Sequence, residues 1–548
     1  MKTVSVCIVG GGPVGMMLAL NLNAFGVSSI VVNTDAETLQ QPRGSTQNAR
    51  TMEHYRRLGL SREIRKLGLP PNHPTDVAYF TRLNGWELAR ISMPSESEKM
   101  AAVRCASTTD QVVEPILRCN QMYVERYVLE HLKTVAGVEL RFGWHCIGWT
   151  EETDGLTIEI EQRGSDRVEQ IKASFLVGCD GGQSFVRRQL GIRYSGEATN
   201  DNQAYLSGAM VSTHIRATNF SKRVQKLGWQ YWTVNATLRS NIVSLDGKDE
   251  LIMLSQLPSV DHEPDDDLIK QRFVAATGQN LDFKILGHWK WVPGRALVAD
   301  SFGRGRVVLG GDSAHLFTPT GGFGMNTGID DAANLGWKLA ALVQGWGGEA
   351  LLSSYELERR PIAFRNTGTA KLYSRNVGSL QVPPEIEEES AAGAAARAEV
   401  GRVAATFAEE FASIGIQLGA RYDMSPIVVP DGTAPPSDDP FKYVPSACPG
   451  GRAPHLWLPD HTSLFDRFGP GFTLLLLAGA QNDGAQLCRS AVERGIPVRV
   501  LRVDEPEARD LYEANMALIR PDQHVAWRGD QLPEDADKLL DTVVGHRV

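Results

Sequence analysis

Short apolar runs broken by glycine recur along the 548-residue chain. "VSVCIV", residues 4–9, has strand length and is cut by "GGGP", after which "VGMMLALNLNAFG" has helix length and "SSIVVN" returns to strand. That order predicts strand, tight turn, helix, strand. A second apolar run ends at an acid and two glycines in "ASFLVGCDGGQSFVRRQLGI", residues 173–192, and a third in "RVVLGGDSAH", residues 306–315. The third continues through "PTGGFGMN" into "IDDAANLGWKLAALV", which has helical spacing. Between 193 and 285 the pattern shortens to strands in "QAYLSGAMVSTHI", "WQYWTVNATLRSNIVSL" and "ELIMLSQL", and "ILGHWKWVPGRALVAD" leads back. After "VPP" the chain becomes Ala- and Glu-rich and helical, then passes through the linker "VVPDGTAPPSDDP". Beyond 440, "FTLLLLAG" and "IPVRVLRV" read as strands with the helix "GAQLCRSAVERG" between them.

A chain of this length exceeds one core, so several domains are expected. A composition of 42% hydrophobic and 22% charged residues is that of a globular protein. The net charge of −9, well mixed along the chain, argues against a nucleic-acid surface. No run reaches the roughly 18 apolar residues of a membrane span, and the expected location is cytoplasmic. Seven widely spaced cysteines form no CxxC and no metal-binding spacing, so reduced thiols and no metal site are expected.

The chemistry lies in the glycine turns. Gly10, Gly12 and Gly15 fit GxGxxG between a strand and a helix, with Pro13 and Val14 inside the turn. Gly10 allows the turn, Gly12 lets the backbone approach a pyrophosphate, and Gly15 lets the helix pack on the sheet. The helix start then offers unpaired N–H groups to the phosphates. The second strand ends in Asn33, where an acid usually holds the ribose; Asp35 is the alternative contact. Asp180 and Asp312 end later strands, where carboxylates accept from sugar or polyol hydroxyls. Bare backbone at Gly322, Gly324, Met325 and Asn326 suits a developing negative charge, and Pro319 supplies a rigid wall without an N–H. An acid, a proline and bare glycine backbone before a helix together suit a flavin.

"GGGPVG", "CDGGQS" and "GDSAHLFTPTGGFGMNTGIDDAANLGWKLA", in this order, resemble the flavoprotein aromatic hydroxylases of the para-hydroxybenzoate hydroxylase type. The likeness spans roughly residues 1–375, and the tail, with "RPDQHVAWRG", resembles the phenol hydroxylase branch. By that resemblance Arg43, in "PRGSTQNARTMEHYRRLGL", meets the cofactor and is where a swinging flavin would be felt. In "LRCNQMYVERYVLEHL", Gln121 contacts the ribityl chain, assisted by Arg118. Gln183 stands where the family writes Arg or Ala, while Arg187 is in place.

The resemblance implies an α/β fold: a discontinuous Rossmann-type FAD-binding domain (1–75, 105–190, 286–375), an inserted β-sheet substrate domain (76–104, 191–285), a helical segment and linker (376–439), and a thioredoxin-like domain (440–548). It implies an FAD-dependent monooxygenase using NADH or NADPH and O2 to hydroxylate a phenolic ring through a C4a-hydroperoxyflavin, expected as a homodimer. Tyr231, Trp289 and His214, with Trp232 and Trp291, are the candidate substrate-pocket residues, and Pro319 and Arg43 the candidates nearest the chemistry. A flavin reductase or dehydrogenase, a Baeyer–Villiger or epoxidising monooxygenase, and a non-catalytic flavin module use the same scaffold.

Overall fold

The computed structural model describes residues 1–198, 209–292 and 295–546. Lys2–Val9 is a central strand, flanked in parallel by Ser29–Asn33 and Val168–Gly178, with Val138–Phe142 and Val307–Leu309 further out. Val6 to Val9 are all buried, in a core shared with the helix Pro13–Asn23 and with Trp144, Cys146 and Ile158 of neighbouring strands. The helix Pro13–Asn23 packs against the helix Phe323–Gln344. Glycine sets their approach: a Cβ on Gly328 would stand 2.6 Å from Val14, and one on Gly336 2.6 Å from Asn21.

A second sheet of seven strands runs in the order Phe283–Trp291, Met210–Ala217, Glu250–Gln256, Arg239–Ser244, Gln230–Val234, Val77–Phe80, Glu87–Ile91. The segment from 76 thus joins this sheet, Val77 pairing in parallel with Gln230. Residues 203–208 of the expected strand "QAYLSGAMVSTHI", and Pro293–Gly294, lie outside the described residues. One face of the sheet packs Phe80, Ile215, Tyr231 and Met253 onto the helix Asp266–Thr277. The other carries Trp232, Val243 and Ile252, which meet Ile386, Val400 and Phe407. The region expected as helical segment and linker therefore closes one side of the second sheet. The helix Ala350–Gly378 runs through the expected boundary at 375 without a break, its Pro361 on the solvent side.

The C-terminal part is thioredoxin-like. Phe472–Leu477 pairs in parallel with Val498–Val503 across the helix Ala485–Glu493, and antiparallel with Met516–Ile519, which pairs with Val525–Gly529. Buried charges fasten it to the first sheet and its helices. Arg452 meets Glu53 at 2.5 Å, Arg520 meets Glu358 at 2.6 Å, and Arg50 Nη2 donates to the carbonyl of Asp522 at 2.6 Å.

Candidate functional site

The first glycine turn is built for close backbone approach. Gly10 has φ +115°, and a Cβ there would stand 2.2 Å from the carbonyl oxygen of Cys179. A Cβ on Gly15 would stand 2.0 Å from the carbonyl oxygen of Gly10. At Gly12 the same test finds nothing within 4 Å, so the space over the helix start is open. No side chain caps that helix, and Pro13 occupies its first turn. Val14 packs against Gly311 and Gly328, so only its backbone faces the opening. Asn33 works differently from the expected ribose contact. Its Oδ1 accepts the Gly11 N–H at 3.0 Å and its Nδ2 donates to the Asp35 carbonyl at 3.0 Å, which ties down the turn.

Asp312 opens onto a cavity between the two sheets. The enclosing walls raise its carboxyl pKa, with His315 and Arg43 opposing the rise. Asp180 is not in that cavity wall. Its Oδ2 accepts the Val186 N–H at 3.0 Å, at the start of the helix Phe185–Gln189. Its Oδ1 is buried without a partner among the described residues, and burial raises its pKa. Gly321 and Gly322, at φ +76° and +65°, turn the chain into the helix Phe323–Gln344, which also lacks a side-chain cap. Asn326 is spent on the backbone. Its Nδ2 donates to the carbonyls of Thr46 at 3.0 Å and Gly322 at 2.6 Å, and its Oδ1 accepts the Asn48 N–H at 2.9 Å. It therefore staples the glycine loop to residues 46–48 and leaves only its backbone for a ligand.

The cavity measures about 570 Å3. Of the sequence candidates, Arg43, Arg118, Gln121, Asp312, Pro319, Gly322, Gly324, Met325 and Trp289 line it, together with Trp232 and Trp291. Trp291 donates to Ser212 Oγ at 2.8 Å. The expectation for Tyr231 is corrected. It points to the opposite face of the sheet, into the apolar cluster with Phe273, and its hydroxyl accepts the Gly228 N–H at 2.7 Å. Alternation along Gln230–Val234 puts Gln230 and Trp232 on the cavity side and Tyr231 away from it. His214 is also outside the cavity wall, with Nε2 3.7 Å from Glu250, a carboxylate that Tyr123 and Arg216 also hold.

Three wall residues have no motif. Trp229 lies under the guanidinium of Arg118, 3.9 Å from ring centre to Cζ. Arg118 also donates to Thr46 Oγ1 at 2.6 Å, and burial lowers its pKa to about 9. Phe411 and Glu410 come from the short turn Thr406–Phe411. Glu410 Oε1 accepts the Gly321 N–H at 2.9 Å, and burial raises its pKa to about 7. The only sequence signal for Trp229 and Phe411 is aromatic content, and Glu410 sits unmarked in "FAEEF".

The residues fit FAD. The open Gly12 turn suits a pyrophosphate, Asp312 a polyol hydroxyl, and the Gly321–Met325 backbone the polar edge of a flat ring. Comparison with known proteins agrees. The FAD binding domain family matches residues 3–370, and the aromatic-ring hydroxylase C-terminal family residues 446–546. The FAD-dependent monooxygenase apdD of Emericella nidulans is 31% identical over 98% of this chain and 89% of its own length. Phenol 2-monooxygenase of a Pseudomonas species is 27% identical over 98% of this chain and 91% of its own. The rebeccamycin biosynthetic enzyme RebC with reduced flavin superposes with a TM-score of 0.89, at 33% identity over 100% of this chain and 99% of that one. Aklavinone-11 hydroxylase with FAD and aklavinone gives 0.81 at 26% identity, over 100% and 99%.

The chain belongs to the FAD-binding flavoprotein aromatic hydroxylases, in the branch with the aromatic-ring hydroxylase C-terminal domain. It is an FAD-dependent monooxygenase of aromatic substrates. Among the described residues no helix is long and apolar enough to cross a membrane.

Proposed function

We propose that this enzyme hydroxylates a phenolic substrate of several fused rings, consuming O2 and taking its electrons from NADH or NADPH. The observation that carries this is the cavity wall. Four tryptophans (229, 232, 289 and 291) and three phenylalanines (317, 323 and 411) surround a space of about 570 Å3 that reaches Pro319 and the Gly321–Met325 backbone. Flat walls of that kind favour a flat polycyclic ligand. The named ligands of the structural neighbours, aklavinone and 7-carboxy-K252c, support the same size class.

When bound, FAD supplies the electron transfer and O2 activation. The protein positions and shields. Gly12 and the uncapped helix start hold the diphosphate, and Asp312 accepts from a sugar-alcohol hydroxyl. Backbone N–H groups at the start of Phe323–Gln344 stabilise negative charge at a ring edge. The aromatic walls keep water from the reacting atoms. Arg43 is exposed at the cavity wall, which supports its role toward a moving ring.

The test is NAD(P)H oxidation by FAD-loaded enzyme with simple and fused-ring phenols in labelled dioxygen, with mass detection of products. A fused-ring phenol that speeds oxidation and gains one labelled oxygen is the expected result. Oxidation that no phenol speeds, or products without label, would defeat the proposal.

A further inference from the structure

We infer that Glu410 is the residue that takes the proton from the substrate's phenolic hydroxyl, and that it selects hydroxylated rings by doing so. The inference rests on the function proposed above and adds the group that recognises the phenol.

Glu410 reaches the cavity from Thr406–Phe411, outside both sheets and far in sequence from every glycine motif. One carboxylate oxygen is fixed: Oε1 accepts the Gly321 N–H at 2.9 Å. That bond orients the carboxylate from the same loop that bounds the flavin end of the cavity. Among the described residues, the second oxygen receives no hydrogen bond and no cation lies within ion-pair distance of it. A carboxylate held at one oxygen and open at the other, in an aromatic wall, is suited to accept from a ligand.

The surrounding groups tune it toward proton exchange. Arg118, from the strand Leu117–Arg118, faces it but is engaged with Thr46 and the Trp229 ring, and it offsets the rise in pKa only in part. Tyr79, from Val77–Phe80, and Tyr373, from Ala350–Gly378, have their own ionisation opposed by Glu410. Neither tyrosine hydroxyl has a hydrogen-bond partner among the described residues. Glu409 is the remaining neighbouring charge on its own turn. The balance leaves Glu410 with a pKa of about 7, within reach of a phenol acidified by conjugated rings.

The step is a simple proton transfer. The phenolic O–H bond breaks, the proton goes to the free oxygen of Glu410, and the electron pair stays on the substrate oxygen. The resulting phenolate pushes electron density into the ring that is to be oxygenated. The proton leaves Glu410 to solvent before the next turnover. A methyl ether has no proton to give, and it would leave the carboxylate desolvated and unpaired, so it is selected against.

The test uses FAD-loaded enzyme and a hydroxyanthraquinone, whose phenolate absorbs to the red of its phenol, with its O-methyl ether as control. Glu410→Gln keeps the acceptor for Gly321 and is close to isosteric, and its flavin spectrum reports on folding and loading. In wild type the bound probe should show the phenolate band near neutral pH, and the hydroxyl form should bind roughly 10- to 100-fold tighter than the ether. In Glu410→Gln the band should vanish at the same pH, that preference should collapse, and labelled-oxygen hydroxylation should fall roughly 100-fold or more. The same phenolate band and the same preference in both proteins would overturn the role of Glu410 and leave the proposed function standing. A wild type that binds FAD but neither binds nor hydroxylates any fused-ring phenol would overturn both.

Discussion

His315 Nε2 and Asp331 Oδ2 meet at 2.6 Å, both side chains buried, behind the segment that carries Asp312. The same Asp331 oxygen accepts the Gly311 N–H at 3.2 Å, and Arg359 Nε donates to its other oxygen at 2.7 Å. Arg359 also pairs with Asp330, and His54 lies 2.8 Å from that residue. The two acids that begin the helical run "DDAANL" are thus structural. They anchor the turn that carries Asp312 to the helix Ala350–Gly378.

Arg359→Met would leave two buried carboxylates short of their shared cation. Burial alone would raise the Asp331 pKa, and His315 and Arg359 overcome that rise, so the loss falls on an ion the protein keeps charged. The expected cost is about 3–5 kcal/mol of unfolding free energy, read from urea midpoints of FAD-free protein. Arg359→Lys should recover only part of it, because an ammonium cannot serve both carboxylates in a fork.

Gly10 and Gly12 separate folding from cofactor binding. Gly10→Ala forces a Cβ against Cys179 at positive φ and should cost stability. Gly12→Ala meets no protein atom within 4 Å and has ordinary φ, so the FAD-free protein should keep its stability. Its methyl group would occupy the diphosphate's approach and weaken FAD binding by roughly 10- to 100-fold, or about 1.4–2.8 kcal/mol. Fluorescence titration of FAD, beside a thermal melt of the FAD-free variant, checks both halves.

The glycine turns were legible because each strand-turn-helix is local in sequence, while the inserted sheet domain and the thioredoxin-like tail came from the resemblance to the hydroxylase family. The turns that carry Gly12 and Asp312 could be located from their neighbours within a few residues. The pocket could not. "WQYWTV" gives no parity, and which of Tyr231 and Trp232 faces inward is fixed only when Trp232 pairs with Asn241 and Tyr79. Asn33 and Asn326 were read from position, but their amides are taken up by Gly11, Thr46 and Asn48 once the chain folds. Glu410 was invisible because its chemistry comes from burial beside a loop 89 residues away.

Tyr231 therefore serves as a control for the cavity. Tyr231→Phe removes one hydrogen bond and leaves the Gly228 N–H unmet, at about 1–3 kcal/mol. Its KM and kcat should stay near those of wild type. Trp229→Ala removes the ring beneath Arg118 and should raise KM by roughly 10-fold or more. Steady-state kinetics beside thermal melts would separate the two, and a raised KM in Tyr231→Phe would contradict the face assigned to it.

Glu358 carries one of the contacts to the thioredoxin-like part. It accepts from Arg520 and from Lys338 at 2.6 Å each, and from Ser425. Burial alone would raise its pKa, but Arg520 and Lys338 outweigh burial and hold it at about 2. A lowered carboxylate pKa stabilises the fold above the unfolded value and is lost as pH falls toward the folded one. Stability should thus drop as pH falls from about 4.5 toward 2, and less so in Glu358→Gln, which is already weaker at neutral pH. Calorimetry at neutral pH should show one joint transition in wild type and two separated ones in the variant.

Glu410 predicts the opposite slope. Its folded pKa, about 7, lies above the ordinary carboxylate value because burial in the cavity wall outweighs Gly321 and Arg118. The folded state then holds the proton more tightly than the unfolded chain. Stability from this group is full below the unfolded pKa and is lost as pH rises through about 7. Glu410→Gln has no proton to lose, so its stability should fall less between about pH 5 and 8 than that of wild type. Urea midpoints of the two FAD-free proteins across that range should converge at the acid end and part toward the alkaline end, with the variant higher. Parallel curves would mean that the carboxylate ionises in the empty cavity without penalty. It would then lack the proton affinity that its role toward a phenol requires.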